Sequence, residues 1–240
     1  MRLFYLEPER WSDPWVLDGA EARHALKAVR LGVGDGLRLF DGCGREGEFR
    51  IVKVGKDRAE LEPVELREAP RPEAQVHLAL GWSRQARRSW LLEKAVELGA
   101  AGLWFWRAER SQGDPPDEPK EGWIAKMIAG AKQSGNLLLP ETGIIEGGLS
   151  GLVEFGRGFD RRRLCSEAAL APLVRPVDLA APGRILVVVG PEGGLTCEET
   201  MALKTGGFMG VSLGQGVLRW ETAALAALGL AFWARAKGGA

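Results

Sequence analysis

Two glycine-containing segments near the end of the chain have the residue types and spacing of a ligand-binding site. The first, GPEGG at positions 190–194, directly follows the apolar run 185–189. In α/β proteins a ligand usually lies beyond the carboxyl end of such a strand, and glycines there let backbone amides approach it closely. The segment has neither a GxGxxG nor a Walker pattern, which argues against a nicotinamide dehydrogenase or an NTPase.

The second segment, VSLGQGVLRWETAA at 211–224, also runs from a predicted strand through glycines into a predicted helix. Two such turns in one domain predict neighbouring walls of a pocket, in which backbone groups hold a neutral or zwitterionic cofactor. Arg219 is the one permanent positive charge in this turn. It is either a functional cation or the structural ion-pair partner of Glu221 or Glu192.

The elements that position these turns follow from the hydrophobic periodicity. Apolar strand candidates at 76–82, 103–106 and 184–189 alternate with helical patterns at 89–98 and 122–131. Strand–helix alternation of this kind predicts an α/β domain with a mostly parallel sheet.

The rest of this domain shows clear helix starts and stops. A strand is predicted at 207–213 and a long helix at 220–236, while Thr196 with Glu199 predicts a capping box at the start of another helix.

The Pro-rich, acidic stretch 111–121 predicts an irregular, exposed loop. The arginine run at 161–163 is interpreted as a solvated charge run, and the two tryptophans at 104 and 106 as core residues.

The first part of the chain has a different pattern. Short strand candidates at 37–40, 48–54 and 58–66, with a glycine turn at 41–44, predict a small β-barrel. Prolines and charges at 68–72 predict an extended linker. The predicted domains are therefore residues 1–70 and residues 73–240.

Composition excludes several classes of protein. The 32 Lys+Arg balance 32 Asp+Glu, so the chain does not bind nucleic acid through bulk charge. Three cysteines and two histidines form no metal-ligand spacing and no disulfide framework, so no metal is expected. The longest weakly polar stretch, 222–234, is too short to span a bilayer, and the first residues lack an export signal, so no membrane association and a cytoplasmic location are expected.

Taken together, GPEGG with its trailing acidic pair and LGQGVLRWETA strongly resemble the paired C-terminal motifs of the RsmE family of RNA methyltransferases, in the SPOUT superfamily. The strings WLLEKAVELG at 90–99, ERS at 109–111 and KQSGN at 132–136 are similar to further family motifs. Two departures are Gly216-Val217, where the family commonly has arginine and isoleucine, and Lys132, where an acid is usual.

The resemblance implies a PUA-like, RNA-binding β-barrel followed by a SPOUT-type α/β domain with a C-terminal trefoil knot. It implies S-adenosylmethionine as cofactor, a homodimer, and methylation of N3 of a uridine in the 16S rRNA of the small ribosomal subunit. The apolar last helix independently suggests the homodimer, through Ala223, Leu225, Leu228, Leu230, Phe232 and Trp233.

The resemblance and the chemistry of the side chains together suggest roles for individual residues. Arg219 is expected to be catalytic, stabilising the uracil anion or orienting the base, and Glu192 and Glu221 are possible proton acceptors. The residues expected to bind the cofactor are Val189, Gly190, Pro191, Glu192, Gly193, Leu213, Gly214, Val217, Leu218, Thr222 and Ala223. The arginines expected to contact RNA phosphates are Arg10, Arg23, Arg30, Arg84, Arg87 and Arg88.

Two alternatives stay open at the level of the sequence. One is a non-catalytic RNA-binding factor of ribosome assembly whose pocket is vestigial. The other is a SPOUT methyltransferase that acts on tRNA. The intact GPEGG and LRWETA motifs favour an enzyme over the first alternative.

Overall fold

The chain forms two compact units in the computed structural model, which describes residues 1–84, 87–167 and 171–238. The first unit comprises Met1–Arg71 together with Ile128–Leu139. The second comprises Pro72–Met127 and Pro140–Ala240.

The first unit is built on one five-stranded sheet with the strand order β1-β3-β4-β5-β2. All neighbours are antiparallel except β1 and β3. Its elements are β1 (Leu3–Tyr5), β2 (Val16–Asp18), α1 (Gly19–Arg23) continued by a π-helical turn (His24–Ala28), β3 (Gly36–Phe40), β4 (Arg45–Val54) and β5 (Arg58–Glu68). The predicted barrel is thus a half-barrel sheet in which β1 and β2 form the edges.

The segment 128–139 belongs to the first unit although it is distant in sequence. Lys132 Nζ lies 2.9 Å from both carboxylate oxygens of Glu21, and its ammonium lies 5.4 Å from the centroid of the Phe4 ring. The Leu139 amide donates to the Gly42 carbonyl at 2.8 Å. The lysine that replaces the usual acid in this motif therefore has a defined ion-pair partner.

The second unit contains a six-stranded, all-parallel sheet with the order β11-β9-β10-β6-β7-β8. The predicted α/β fold is confirmed, and the trefoil knot stays a prediction. The elements from residue 72 onward are β6 (Ala74–Gly81), α2 (Arg88–Glu97), β7 (Gly102–Trp106), α3 (Glu121–Ser134), β8 (Glu141–Ile145), α4 (Gly148–Gly156), β9 (Arg161–Cys165), α5 (Pro176–Ala180), β10 (Gly183–Val189), α6 (Cys197–Thr205), β11 (Met209–Val211) and α7 (Trp220–Gly238). The part of α3 from Ile128 onward is assigned to the first unit.

The arginine run Arg161–Arg163 forms the start of β9, so its interpretation as a solvated run is wrong. These side chains are half-buried, and β9 pairs with both β10 and β11. The Arg161 guanidinium donates to the carbonyls of Ala181 and Pro182 at 3.0 and 2.9 Å. Arginine can occupy such a strand because its methylene stem covers apolar surface while its guanidinium reaches polar groups at the edge.

Three further features of the described residues were addressed by the sequence: membrane-spanning helices, metal-binding clusters and the loop before α3. Within residues 1–84, 87–167 and 171–238, no helix is both long and apolar enough to cross a membrane. The same residues contain no cluster of three or more His, Cys, Asp or Glu side chains able to hold a metal ion. The loop predicted at 111–121 forms no helix or strand up to residue 120, and Glu121 is already the first residue of α3.

His77 is a buried titratable group in the middle of β6, with 1% of its surface exposed. Its Nδ1 accepts a hydrogen bond from Trp104 Nε1 at 3.4 Å, and its ring centroid lies 5.1 Å from that of Phe159. Burial, with a smaller contribution from the Arg184 charge, lowers the pKa of His77 from 6.5 to about 4.

We expect His77 to make the protein acid-sensitive. Because its pKa is lower in the folded than in the unfolded chain, the unfolded state binds the proton more readily, and stability falls as the pH drops from about 6.5 to about 4. The loss attributable to this group is roughly 3 kcal/mol. Urea unfolding across this range should give a flatter pH dependence for His77→Asn. His24→Asn, at the other and exposed histidine, should keep the wild-type slope.

Candidate functional site

The candidate site lies where three neighbouring parallel strands end. GPEGG follows β10, Cys165 and Ser166 lie at the end of β9, and the second glycine segment follows β11. Because β9 pairs in parallel with both β10 and β11, the three carboxyl ends share one edge of the sheet. The two glycine turns are therefore walls of one site, as the sequence predicts.

A cavity of about 710 Å³ occupies this edge. Ten of the residues predicted to bind the cofactor line it, namely Val189, Gly190, Pro191, Glu192, Gly193, Leu213, Gly214, Val217, Leu218 and Ala223, and so does Arg219. Thr222 does not line the cavity and is exposed on α7. Arg110, Cys165, Ser166 and Glu167 line it but were not among the predicted residues.

The unpredicted lining residues had only weak sequence signals. Ligands in α/β proteins bind beyond the carboxyl ends of strands, which would have indicated Cys165–Glu167 if β9 had been predicted. The arginines of β9 hid its strand character in the sequence. Burial raises the pKa of the Cys165 thiol to about 12, so the thiol is protonated at neutral pH and is a poor nucleophile. Cys165 is therefore interpreted as a residue that lines the cavity and not as a nucleophile.

The GPEGG turn is held in place by close packing and by a buried carboxylate. A Cβ on Gly81 would lie 2.5 Å from the Pro191 nitrogen, so only glycine permits this approach between β6 and the turn. The predicted capping box is confirmed, because Thr196 Oγ1 accepts from the Glu199 amide at 3.1 Å and Glu199 Oε2 accepts from the Thr196 amide at 2.9 Å. Glu199 Oε1 also accepts from the Glu109 amide at 2.8 Å.

The second turn leads into α7 through a similar set of contacts. Ser212 Oγ accepts from the Gly214 amide at 3.2 Å and donates to the Gly214 carbonyl at 2.7 Å. Trp220 Nε1 donates to the Gly81 carbonyl at 3.0 Å, so the start of α7 and the GPEGG turn both contact the end of β6. These contacts fix the backbone on either side of Arg219.

Arg219 is exposed, and within the described part of the chain it forms no ion pair. Of its two possible partners, Glu221 is buried and binds Arg87 Nη1 through Oε1 at 2.6 Å. Glu192 accepts a hydrogen bond from Gln112 Nε2 at 3.4 Å. The structural ion pair considered for Arg219 is therefore absent, and its charge is available at the cavity.

The three arginines after β6 differ in what they contact. Arg84 is exposed, and Arg87 is held by Glu221. The Arg88 guanidinium lies 3.8 Å from the centroid of the Trp82 ring and donates to the Ser83 carbonyl. Arg88 thus has a clear packing role, and its contact with RNA stays a prediction.

The predicted RNA-binding arginines of the first unit are all at its surface. Arg10 donates to both carboxylate oxygens of Asp18 at 2.8 and 2.9 Å, and the Arg23 guanidinium lies 3.9 Å from the Asp57 carboxylate. Arg30 is exposed. Exposed ion pairs of this kind are weak and do not prevent binding to a phosphate.

Comparison with known proteins agrees with this geometry. Residues 70–231 match the family of RNA methyltransferase domains, and residues 17–64 match the RNA methyltransferase PUA domain. Ribosomal RNA small subunit methyltransferase E from Mycobacterium bovis is 32% identical over 225 residues, which cover 89% of this chain and 84% of that protein. The chain belongs to the RsmE family of RNA methyltransferases.

Solved structures of RsmE-family and related proteins have the same fold. A probable rRNA-methyltransferase from Porphyromonas gingivalis is 27% identical with a TM-score of 0.86, over 99% of this chain and all of that one. Ribosomal RNA small subunit methyltransferase E from Neisseria gonorrhoeae, solved bound to S-adenosyl methionine, is 28% identical with a TM-score of 0.76 over 95% of each chain. The resemblance inferred from the motifs is confirmed.

We expect Glu199 to stabilise the GPEGG turn in this RsmE-family chain. Glu199→Ala leaves the amides of Thr196 and Glu109 without their acceptor, which should lower the free energy of unfolding by about 2 to 4 kcal/mol. The neighbouring Glu198 is exposed, so Glu198→Ala should cost less than about 1 kcal/mol. Urea unfolding of both variants measures the difference, and equal losses would contradict an anchoring role for Glu199.

Proposed function

We propose that this chain transfers a methyl group from S-adenosylmethionine to N3 of a uridine in the 16S rRNA of the small ribosomal subunit. The observation that carries the proposal is the cavity formed by two glycine turns at adjacent parallel strand ends, in a chain of the RsmE family. The site of action that follows from this substrate is the cytoplasm, where ribosomal subunits assemble.

The residues of the cavity fit this cofactor. Both Gly214 and Gly216 line it, and a Cβ on either would meet no atom within 4 Å, so the glycines leave open space beside the backbone. Apolar side chains such as Val189 and Leu218 suit the uncharged part of the cofactor, and the turn amides suit its polar atoms. The carboxylates of Glu167 and Glu192 complement its positive charge.

Most of the catalysis expected here consists of alignment and exclusion of water. When bound, S-adenosylmethionine supplies an electrophilic methyl group and leaves as a neutral thioether. The glycine turns orient the reacting groups, because transfer requires an in-line approach. The N3–H bond of uracil breaks, the N3–methyl bond forms, and the proton passes to an acceptor.

Arg219 is the candidate for stabilising the uracil anion. Arg219 lines the cavity, without an ion-pair partner among the described residues, on a backbone fixed by Trp220 and Ser212. Of the two carboxylates considered as proton acceptors, Glu192 lines the cavity, whereas Glu221 is buried and paired with Arg87. Glu192 is therefore the candidate acceptor, and Glu221 is a positioning residue.

The overall activity is tested by calorimetry with S-adenosylmethionine, followed by methylation assays on small ribosomal subunits, free 16S rRNA and tRNA. Micromolar cofactor binding with N3-methyluridine in 16S rRNA supports the proposal. Well-folded protein that binds RNA but no cofactor would support the assembly-factor alternative. Methylation restricted to tRNA would support the other alternative.

We expect Arg219→Ala to fold and bind S-adenosylmethionine but to turn over roughly a hundredfold more slowly, because a preorganised cation is worth about 3 kcal/mol in such a transition state. Arg219→Lys should recover little activity if a planar, two-point contact is needed, and much if charge alone suffices. Single-turnover methylation measures both variants. Arg157→Ala, at an exposed pair with Glu154 on α4, is the control and should match the wild type. Wild-type turnover in Arg219→Ala would remove it from the mechanism.

We also propose a homodimer, supported by the apolar surface near the end of α7. Phe232 and Trp233 are 49% and 52% exposed in the single chain. Light scattering should give about twice 26.0 kDa for the wild type, and Phe232→Glu should shift the population toward monomer. Met201→Glu, at an exposed apolar residue on α6, is the matched control and should leave the dimer intact. A monomeric wild type at micromolar concentration would overturn the proposal.

A further inference from the structure

A tightly hydrogen-bonded turn after β7 presents a second arginine to the cavity. The Ala108 amide donates to Ser111 Oγ at 3.0 Å, and the Ser111 amide donates to the Ala108 carbonyl at 3.1 Å. The Glu109 amide binds the buried Glu199 carboxylate at 2.8 Å. The turn that carries Arg110 is therefore fixed from within and from α6.

Arg110 lies against the GPEGG turn and lines the cavity. Its Nη1 donates to the Gly193 carbonyl at 3.2 Å, and a Cβ on Gly193 would lie 3.1 Å from the Arg110 Cβ. The residue is exposed and has no ion-pair partner within the residues described. Its remaining N–H groups are free to bind an anion in a planar, two-point contact.

Arg84, in the segment that follows β6, lies against Gly113, two residues beyond this turn. Its Nε is 2.8 Å from the position that a Cβ on Gly113 would occupy, so its guanidinium covers the turn backbone. Arg84 is exposed and has no ion pair in the described ranges. Arg110, in the turn after β7, and Arg84, which follows β6 and lies against Gly113, are thus two exposed cations, and Arg110 lines the cavity.

The position of Arg110 favours a ligand that approaches from solvent. Glu167 and Glu192 also line the cavity, so the formal charges of its four charged lining residues sum to zero. The cavity therefore does not attract anions through its net charge. An exposed guanidinium on a fixed backbone is instead suited to one localised anion. The phosphates that flank a base inserted into the cavity are such anions.

We propose that Arg110, together with Arg84, binds the RNA phosphates next to the target uridine and so positions that nucleotide in the cavity. The proposal rests on the proposed function. It makes Arg110 a positioning residue with a role separate from that of Arg219, which meets the base.

The test compares Arg110→Ala and Arg110→Gln with Arg107→Ala. Arg107 is three residues away but pairs with Asp114 at 2.8 Å and lines a different cavity of about 690 Å³. Arg110→Gln keeps a donor for the Gly193 carbonyl while removing the charge. Equilibrium binding of a 16S rRNA fragment is measured at several salt concentrations, with S-adenosylmethionine affinity, kcat and KM measured in parallel.

For both Arg110 variants we expect KM for RNA to rise about tenfold, kcat to change less than threefold and cofactor affinity to change less than twofold. The slope of log affinity against log salt should decrease in magnitude by about 0.7, the value for one phosphate contact on single-stranded RNA. Arg107→Ala should match the wild type in every measurement.

Two results would overturn the proposal. One is an unchanged salt slope with weakened cofactor affinity, which would assign Arg110 to the cofactor carboxylate. The other is an Arg110→Gln variant that matches Arg107→Ala. Equilibrium RNA binding and its salt slope are measured without turnover, so they decide the role of Arg110 even if the wild type shows no methylation, which would count against the proposed function alone.

Discussion

Parallel pairing of β9 with both β10 and β11 is the constraint on which the candidate site depends. This pairing brings the ends of three strands to one edge of the sheet, although GPEGG and LGQGVLR are separated in sequence by the whole of α6. Parallel strands require crossover connections. The connection from β10 to β11 supplies the start of α6 beside GPEGG, and the last helix, α7, starts beside the second turn. The cavity walls formed by the two glycine turns, including the turn that carries Arg219, take their positions from this edge, and the Arg110 turn after β7 is joined to it through Glu199.

Two buried glutamates hold the segments at that edge of the sheet in place. Glu199 joins the α6 start to the turn after β7, and Glu221 joins the α7 start to Arg87. A buried carboxylate that accepts backbone amides or an arginine is costly to lose, because the groups it satisfies are left without partners. These acids therefore contribute through geometry, by holding the segments around the cavity in place.

The first unit shows how a departure from a family pattern can be accommodated. Lys132 contacts Glu21, and the segment around it adds backbone hydrogen bonds to the turn at Gly42. A lysine at this position is compatible with the fold because its ammonium has both a carboxylate and the face of Phe4 nearby. The second departure, Gly216, lies at the cavity and leaves open space where a larger side chain would project.

Local periodicity or a contiguous motif encodes the α/β class, the two glycine turns, the capping box at Thr196 and the family, so these features could be predicted from the sequence. It could not identify β9, since Arg161–Arg163 have the charge of a surface run and only burial between β10 and β11 makes them a strand. The sequence also did not indicate three tertiary contacts. These are the ion pair of Glu221 with Arg87, the packing of segment 128–139 in the first unit and the presence of Arg110 at the cavity. Each depends on contacts between residues far apart in the chain, and no local pattern specifies which distant group a side chain will meet.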